Sequence, residues 1–500
     1  MPQQITPPRG MRDFLPAEKA RREQALAIIR RTYRAHGFDE IETPVVEESG
    51  RLHAGLGGDN EKLAYSVLKR GLSGDDLHAA ADAGDVLALS DLGLRFDLTV
   101  PLARFYASHR AELPGVFRSI QAAPVWRAER PQKGRYRQFM QCDIDIIGEA
   151  GQLAEVELIS ATAATLAALG LTGCTIRVND RRLLAGILGF CGFAPDRQAQ
   201  ALISIDKLDK IGAAGVVAEL AEGGADAAAV LGGILERIEP ALADGGVPLT
   251  AEAITAILPD GVDPDAVADL ETLAGALVGL PDGVTLRFDP TLVRGMGYYT
   301  GTIFEIAHPA SGSSVGGGGR YDGMIGRFLG QDVPAAGFSI GFERIVDLAV
   351  LPAAEDADAI ALVHDRRTPV AVLARLKAEL VASGRRVRLE LRPKNVAPLL
   401  EALKQQGFRT FAAVDADTGD AASLQERPLD GGPASSRSGF TASATRSAAT
   451  SGRPTRSSSR SSSRSSCCRS SRWPSARRAT SAPRPTDPAA SAPRPTTCPA

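Results

Sequence analysis

Residues 124–148, PVWRAERPQKGRYRQFMQCDIDIIG, constrain the fold more than any other segment of the chain. They predict two strands joined by a basic loop, with Arg127 and Glu129 on one face of the first strand because side chains alternate between the faces of a strand. The return strand has an apolar face made of Met140, Cys142, Ile144 and Ile146. Its opposite face carries Phe139, Gln141, Asp143 and Asp145. Alternation alone fits both a solvated hairpin surface and a site for a ligand with an ammonium group, an anionic group and a flat ring.

Length and composition predict a reduced, cytoplasmic, soluble protein with no membrane span. The 500 residues predict two to four domains at roughly 100–200 residues each. The formal net charge of −2 means that nucleic-acid binding has to come from local basic patches. The six cysteines show no C-x-x-C pair and no spacing with histidine that predicts a metal site. The N-terminus lacks the apolar run of a secretory signal.

Periodicity predicts the elements around the hairpin. A helix is predicted over 16–35, a strand in GFDEIETPVVEE that ends at Pro44 or just beyond, and a loop over 70–88. A strand and then a helix beginning near Thr99 follow, and a second helix is predicted from Gln152 to about Leu169. The Ala/Gly/Leu-rich stretch 182–283 predicts a helical insertion. Strands resume at 285 and end in a helix that carries Arg344.

The C-terminal third divides into two parts. Residues 358–430 alternate strand and helix, which predicts a small α/β domain with a mainly parallel sheet. Residues 431–500 are rich in Ser, Arg, Ala and Pro and predict a disordered tail. Globular composition stops abruptly after the third strand of the α/β domain has ended, so we interpret the tail as the product of a shifted reading frame. The alternative is a functional basic tail that binds RNA phosphates.

Four motifs in order resemble the histidyl-tRNA synthetases, which are class II aminoacyl-tRNA synthetases. GFDEIETPVVEE resembles motif 1, the dimerisation element; VWRAERPQKGRYRQFMQCDIDIIG resembles motif 2; and GFSIGFERI resembles motif 3. LVRGMGYYTGTIFEI resembles a signature peculiar to the histidine enzymes and their relatives. The resemblance implies an α+β fold with an antiparallel sheet flanked by helices. It implies a catalytic core at 1–181 and 284–352, the insertion at 182–283 between them, and an anticodon-binding-like domain at 358–430.

The resemblance also implies an activity, substrates and a site. The enzyme would form histidyl-adenylate from L-histidine and ATP with Mg²⁺, then esterify the 3′ end of tRNA(His), as a homodimer. Arg127 and Arg294 would be the catalytic cations, since a guanidinium forks to carboxylate or phosphate and keeps its charge. The implied histidine-binding residues are Asp97, Thr99, Arg127, Gln141, Asp145, Arg294, Tyr298 and Tyr299. The implied ATP-binding residues are Arg127, Glu129, Phe139 and Arg344.

Some features stay outside this assignment. Asp143 is interpreted as an ordinary solvated hairpin residue, and the run Gly316–Gly319 as pocket lining where backbone passes close to something. Gly297 departs from the acidic residue that usually precedes the tyrosine pair.

Two alternative functions remain open. One is the synthetase-like regulatory subunit of ATP phosphoribosyltransferase, which binds histidine without aminoacylating; the other is RNA binding through the basic tail.

Overall fold

The computed structural model describes residues 5–53, 62–131, 134–243, 245–294, 299–351 and 358–429, all within one compact unit that spans residues 1–432. The part of the predicted basic loop at 132–133, Gly297, Tyr298 and the predicted tail at 431–500 lie outside the described residues. The division of the compact unit into a core, an insertion and an anticodon-binding-like domain stays a prediction.

An eight-stranded sheet forms the centre of the fold. Its strands run in the order β1-β5-β6-β11-β10-β9-β7-β8. They are β1 (Asp39–Glu40), β5 (Phe117–Trp126), β6 (Gln138–Ile147), β7 (Cys174–Asp180), β8 (Val284–Phe288), β9 (Thr302–Ala307), β10 (Gly316–Arg320) and β11 (Ala335–Gly341). Neighbours are antiparallel except at the two edges, where β1 pairs with β5 and β8 with β7 in parallel. The predicted α+β class is confirmed, and the antiparallel pattern holds for the six central strands.

The predicted hairpin is β5 and β6, paired from Phe117 opposite Ile147 to Trp126 opposite Gln138. Its apolar face is buried, and Cys142, Ile144 and Ile146 are fully inaccessible. The prediction that Arg127 and Glu129 lie on the first strand is wrong, because β5 ends at Trp126. The backbone then turns aside: the N–H of Ala128 donates to the carbonyl of Leu63 rather than to β6.

The segment resembling motif 1 is broken rather than one strand. Only the short β1 and β2 (Val46–Glu48) are extended and paired. Between them, the carbonyls of Thr43 and Pro44 accept hydrogen bonds from the guanidinium of Arg95, so they are not available to a strand ladder. A separate three-stranded sheet, β2-β4-β3, is completed by β3 (Tyr65–Leu68) and β4 (Ser90–Leu94).

Helices cover the sheet and the pocket edges. Those within the predicted core are α1 (Pro16–Ala35), α2 (Ser49–Leu52), α3 (Gly74–Ala83), α4 (Thr99–His109), α5 (Leu153–Ala168), α12 (Asp322–Leu329) and α13 (Phe342–Leu348). The helices α1 and α5 bury their apolar faces in one cluster with the hairpin. The predicted loop at 70–88 is wrong, because α3 lies within it. Ser73 accepts a hydrogen bond from the N–H of Asp76 and Gly84 ends the helix in the left-handed conformation, so local capping outweighs the weak apolar periodicity.

The segment predicted to be helical contains α6 (Arg181–Cys191), α7 (Pro195–Ile205), α8 (Leu208–Ala221), α9 (Ala225–Ala243), α10 (Ala251–Ile257) and α11 (Pro264–Ala276). It begins at the end of β7 and returns at β8, which pairs beside β7. The predicted βαβαβ pattern is present as β12 (Ile360–His364), α14 (Val370–Ala382), β13 (Val387–Leu391), α15 (Ala397–Gln405) and β14 (Thr410–Val414). Strand β12 pairs in parallel with both β13 and β14, and β15 (Arg427–Pro428) adds an antiparallel edge.

Candidate active site

One cavity of about 1040 Å³ opens over the polar face of β6 and its neighbours β11, β10 and β9. It gathers every site residue predicted from the sequence that the structure describes. They are Asp97, Thr99, Arg127, Glu129, Phe139, Gln141, Asp145, Arg294, Tyr299 and Arg344. Tyr298 lies outside the described residues. Residues from five separate chain segments therefore meet in one site, which alternation within the hairpin could not establish.

Six cationic side chains line the cavity, and three of them are the arginines predicted from the sequence. The Nε of Arg127 donates to the carbonyl of Phe96 at 2.9 Å, and its guanidinium lies 5.1 Å from the ring centre of Phe139. Arg344 donates to the carbonyl of Ser314, and Arg294 donates to the hydroxyl of the same serine at 3.3 Å. Burial, with nearby Arg135 and Arg294, lowers the pKa of Arg344, but a guanidinium remains charged at neutral pH. This side of the cavity suits a ligand with several negative charges.

Three buried aspartates lie in the same cavity. Asp97, Asp143 and Asp145 expose 7%, 5% and 3% of their surface, so all three are shielded from water. Burial raises the pKa of Asp97 to about 6, although the N–H of Val100 donates to its Oδ1 at 3.1 Å. Burial also raises the pKa of Asp145 to about 7. Burial and then the charge of Asp145 hold the pKa of Asp143 well above its usual range. A cationic ligand would offset the repulsion among these three carboxylates.

Among the described residues that line the cavity, two buried side-chain oxygens lack a hydrogen-bond donor. They are Oε1 of Gln141 and Oδ2 of Asp145. The hydroxyl of Tyr321 donates to the other oxygen of Asp145 at 2.6 Å, which fixes the orientation of the carboxylate. Buried polar groups in native proteins almost always have partners. A ligand that presents two N–H donors would therefore supply the missing hydrogen bonds to Gln141 and Asp145.

Glycines let the backbone approach the functional side chains. A Cβ at Gly317 would lie 2.7 Å from Cζ of Arg294, and one at Gly319 would lie 3.0 Å from the ring of Tyr299. A Cβ at Gly337 would lie 2.0 Å from Oδ1 of Asp145. Within the predicted glycine run, the backbone thus passes close to the side chains of Arg294 and Tyr299.

Within the site, sequence reasoning misjudged the burial of one residue and passed over others. The prediction that Asp143 is a solvated hairpin residue is wrong, because it is buried and its carboxylate accepts hydrogen bonds from Ser339 and, at 3.3 Å, from Gln141. Its signal was available: it shares the strand face of Gln141 and Asp145. Tyr321 was passed over as lining. Arg181 and Asp206, from the helical segment, also line the cavity, and nothing in their local pattern marks them.

The described residues contain no group of three or more His, Cys, Asp or Glu side chains placed to hold a metal ion. Carboxylates near the arginines are already engaged. Glu343 accepts a bidentate pair from Arg22 at 2.6 and 2.7 Å, and Glu129 lies 3.4 Å from Arg135. Across the same described residues, none of the helices combines the length and apolarity needed to span a membrane.

The sequence is similar to a known family over most of its length. The family model described as histidyl-tRNA synthetase matches residues 10–345. A histidine–tRNA ligase of Leifsonia xyli is 72% identical over 425 residues, which are 85% of this chain and 98% of that protein. A probable histidine–tRNA ligase of Tropheryma whipplei is 42% identical over 82% of this chain and 96% of its own length.

Solved structures share the fold. The histidyl-tRNA synthetase of a Nostoc species has a TM-score of 0.64 at 25% identity, covering 86% of this chain and 98% of its own. A Bacillus halodurans protein described as an ATP phosphoribosyltransferase regulatory subunit/histidyl-tRNA synthetase has a TM-score of 0.64 at 20% identity, covering 83% of this chain and 98% of its own. At that identity the second likeness shows the fold alone.

Proposed function

The chain belongs to the histidyl-tRNA synthetase family and functions as a histidine–tRNA ligase, and from this premise we propose how its cavity binds and activates the amino acid. The observation that carries the proposal is that two buried acceptors, Gln141 Oε1 and Asp145 Oδ2, have no donor among the residues that the structure describes. L-Histidine supplies an ammonium group and a ring N–H, and few other amino acids supply both.

Asp97, Thr99 and Gln141 bind the α-ammonium group in this proposal. Asp97 is the charged partner, and Gln141 Oε1 is the neutral acceptor. Asp145 accepts the ring N–H through Oδ2, while Tyr299 faces the other ring nitrogen. A site built to hydrogen-bond both edges of the imidazole rejects analogues that lack those groups far better than an apolar slot rejects isosteres.

ATP occupies the arginine-lined side. Phe139 stacks on adenine, Glu129 lies beside it, and Arg344 holds the γ-phosphate. A carboxylate oxygen of histidine attacks the α-phosphorus, and the bond to the departing pyrophosphate breaks. Arg127 and Arg294 bring the two anions together and neutralise the charge that develops, so no protein nucleophile or general base is needed.

Mg²⁺ enters with ATP as part of the substrate in this proposal. The carboxylates closest to the arginines already pair with guanidinium groups, as Glu343 does with Arg22 and Glu129 with Arg135. They are poor candidates for a resident metal site. Carried by ATP, the ion would supply positive charge to the phosphates, and Arg344 would bind the γ-phosphate.

tRNA(His) reacts in the second step. Its terminal ribose hydroxyl attacks the carbonyl carbon of the adenylate and AMP leaves. We assign contact with the acceptor end to the basic loop after β5, which includes Arg130, Arg135 and Arg137. The parallel sheet of β12, β13 and β14 is assigned to anticodon binding on the resemblance of that segment to the family's anticodon-binding domain.

We further propose a homodimer in the cytoplasm. Exposed apolar side chains on or beside the three-stranded sheet support the dimer: Val45, Val46, Val67, Leu68, Val86 and Leu87 expose between 37% and 76% of their surface. Clusters of this kind mark interaction sites more often than isolated exposed residues do. Light scattering coupled to gel filtration tests it, and a monomer at working concentration would contradict it. The buried thiols of Cys142, Cys174 and Cys191 fit a reducing compartment.

Histidine-dependent exchange of pyrophosphate into ATP tests the proposed activation. We expect exchange in the wild-type chain, and a loss of about 100-fold or more in Arg294→Ala because a transition-state cation is removed. Arg31→Ala, an exposed arginine in α1, is the matched control and should exchange normally. Histidine binding without exchange would instead favour the regulatory-subunit function.

A further inference from the structure

The guanidinium of Arg294 is tied to an acidic residue of the sheet. Its Nη1 donates to Oε2 of Glu305, with the hydroxyl of Ser314 at 3.3 Å as a second acceptor. Glu305 lies in β9 with 12% of its side chain exposed, whereas 32% of the Arg294 side chain is exposed, so the carboxylate is the shielded member of the pair. Gly317 lies opposite Glu305 on β10 and leaves room for the arginine to cross. Within the described part of the chain, one nitrogen of Arg294 therefore bonds to protein acceptors, and the other guanidinium donors can bind a ligand.

Glu305 is itself held from the other side. Its Oε1 accepts from Nη2 of Arg177, the residue directly opposite on β7. Nη1 of Arg177 donates to Oδ2 of Asp289 at 3.0 Å, and the Asp289 side chain is 3% exposed. The second oxygen of Asp289 accepts from the N–H and the hydroxyl of Thr291 at 2.9 and 2.7 Å. Four alternating charges thus run from the end of β8 across β7 and β9 to Arg294.

We propose that Glu305 is a positioning residue for Arg294 and that Arg177 and Asp289 hold Glu305 in place. This inference rests on the proposed function, since it assumes that Arg294 contacts the reacting anions. An untethered arginine samples many rotamers, and a tethered one presents its free edge in a single direction before the substrates arrive. Glu305 itself touches no substrate and acts through the guanidinium.

Removal of the Glu305 charge should lower kcat without raising KM. Arg294 would keep its positive charge and lose a competing anion, so ground-state binding of histidine and ATP should not weaken. The orientation needed in the transition state would be lost, so kcat should fall while KM stays level or decreases. A purely structural ion-pair network predicts the reverse: lower thermal stability and raised KM for both substrates, because the whole cavity would loosen.

The experiment uses the full chain and Glu305→Gln, which keeps an acceptor of the same length. We expect kcat for pyrophosphate exchange to fall by about 10- to 30-fold, with KM for histidine and ATP changed by less than about threefold. Glu305→Asp retains the charge and should recover part of the loss. Asp269→Asn is the control, because Asp269 pairs with Arg182 at 2.7 Å in the helical segment and neither residue lines the cavity.

A double-mutant cycle decides whether Glu305 acts through Arg294. In an Arg294→Ala background, Glu305→Gln should change the residual rate by less than about twofold, because the residue it orients is gone. If the losses from Glu305→Gln and Arg294→Ala are additive, or if Glu305→Gln alone has the wild-type kcat, the inference about Glu305 is overturned while the proposed function stands. Absence of exchange in the wild-type chain overturns the proposed function and this inference together. If Glu305→Gln fails to fold, Asp289→Asn takes its place, with a smaller fall in kcat expected and an unchanged kcat overturning the inference.

Discussion

The hydroxyl of Tyr321 donates to Oδ1 of Asp145 across 2.6 Å, so one oxygen of this buried carboxylate is fixed and the other accepts nothing from the described chain. Tyr321 is 1% exposed and Asp145 is 3% exposed, so water does not compete for the bond. Gly337 lies directly against the same carboxylate. Residues from three neighbouring parts of the fold therefore set the direction in which Asp145 meets a ligand.

Tyr321→Phe should weaken histidine binding by about tenfold, because one buried hydrogen bond to a charged group is lost. The KM for ATP should stay unchanged, since Tyr321 lies away from the arginine-lined side. Calorimetric titration with histidine and exchange kinetics measure the two effects. Tyr33→Phe is the control, because Tyr33 is equally buried but belongs to α1 outside the cavity. Equal losses for both substrates would contradict the assignment of Tyr321 to the histidine end.

Asp145→Asn should stabilise the protein without ligand at neutral pH. Burial raises the pKa of Asp145 from 3.8 to about 7, so the folded state holds the proton more tightly than the unfolded state. The cost of ionising it therefore appears as pH rises through that interval and is complete above it. We expect a gain of about 1–3 kcal/mol in unfolding free energy at about pH 8, shrinking towards zero near pH 4.

Urea denaturation at several pH values measures this gain. The exposed Asp91→Asn in β4 is the control and should show no such trend. A gain in Asp145→Asn that is the same at every pH would show that ionisation is not its source. The same variant should bind histidine poorly, since the buried anion that accepts the ring N–H is gone.

The hairpin shows how far sequence reasoning reaches. Alternation in 138–147 placed the apolar residues inside and gathered Phe139, Gln141 and Asp145 on the cavity face, because strand geometry follows directly from residue order. Alternation did not predict where the first strand ends, because a tertiary contact determines that point. Ala128 turns away to bond Leu63, which ends the strand before Arg127, and no local pattern encodes that bond.

Asp143 shows the same limit at the site. Its face was predicted, but its burial depends on β11, which lies opposite it and supplies the hydroxyl of Ser339. That partner is almost 200 positions away in sequence. The links from Glu305 to Arg177 and from Tyr321 to Asp145 are also long-range, so residue types alone could not reveal them.

Removal of residues 431–500 should leave histidine activation intact. Every residue that lines the cavity lies between Lys62 and Arg344. The Leifsonia relative matches over 425 residues, which are 85% of this chain and 98% of its own length. We expect kcat and KM in pyrophosphate exchange to change by less than about twofold, as for other substitutions far from a site. A larger loss, or a loss of tRNA charging alone, would assign the tail a function and count against the shifted-frame interpretation, which intact-mass measurement of the native protein tests directly.

Gly317→Ala should reduce activity through Arg294. A Cβ at this position would lie 2.7 Å from Cζ and 2.8 Å from Nε of Arg294 and 2.9 Å from the carbonyl of Phe304. The carbonyl is fixed in the sheet, so the arginine has to move away from the strand and from Glu305. A displacement of about 1 Å at a positioning group costs about 100-fold in rate.

The matched control is Gly323→Ala in α12, where an added Cβ meets nothing within 4 Å. That variant should be active and, because alanine favours helix over glycine, slightly more stable by up to about 1 kcal/mol. The two alanines thus separate crowding at Arg294 from the general effect of a glycine replacement. Equal exchange rates in both variants would mean that the position of the guanidinium over Gly317 does not matter to the reaction. A fall in kcat for Gly317→Ala that Glu305→Gln does not deepen would place both changes on the same group, Arg294.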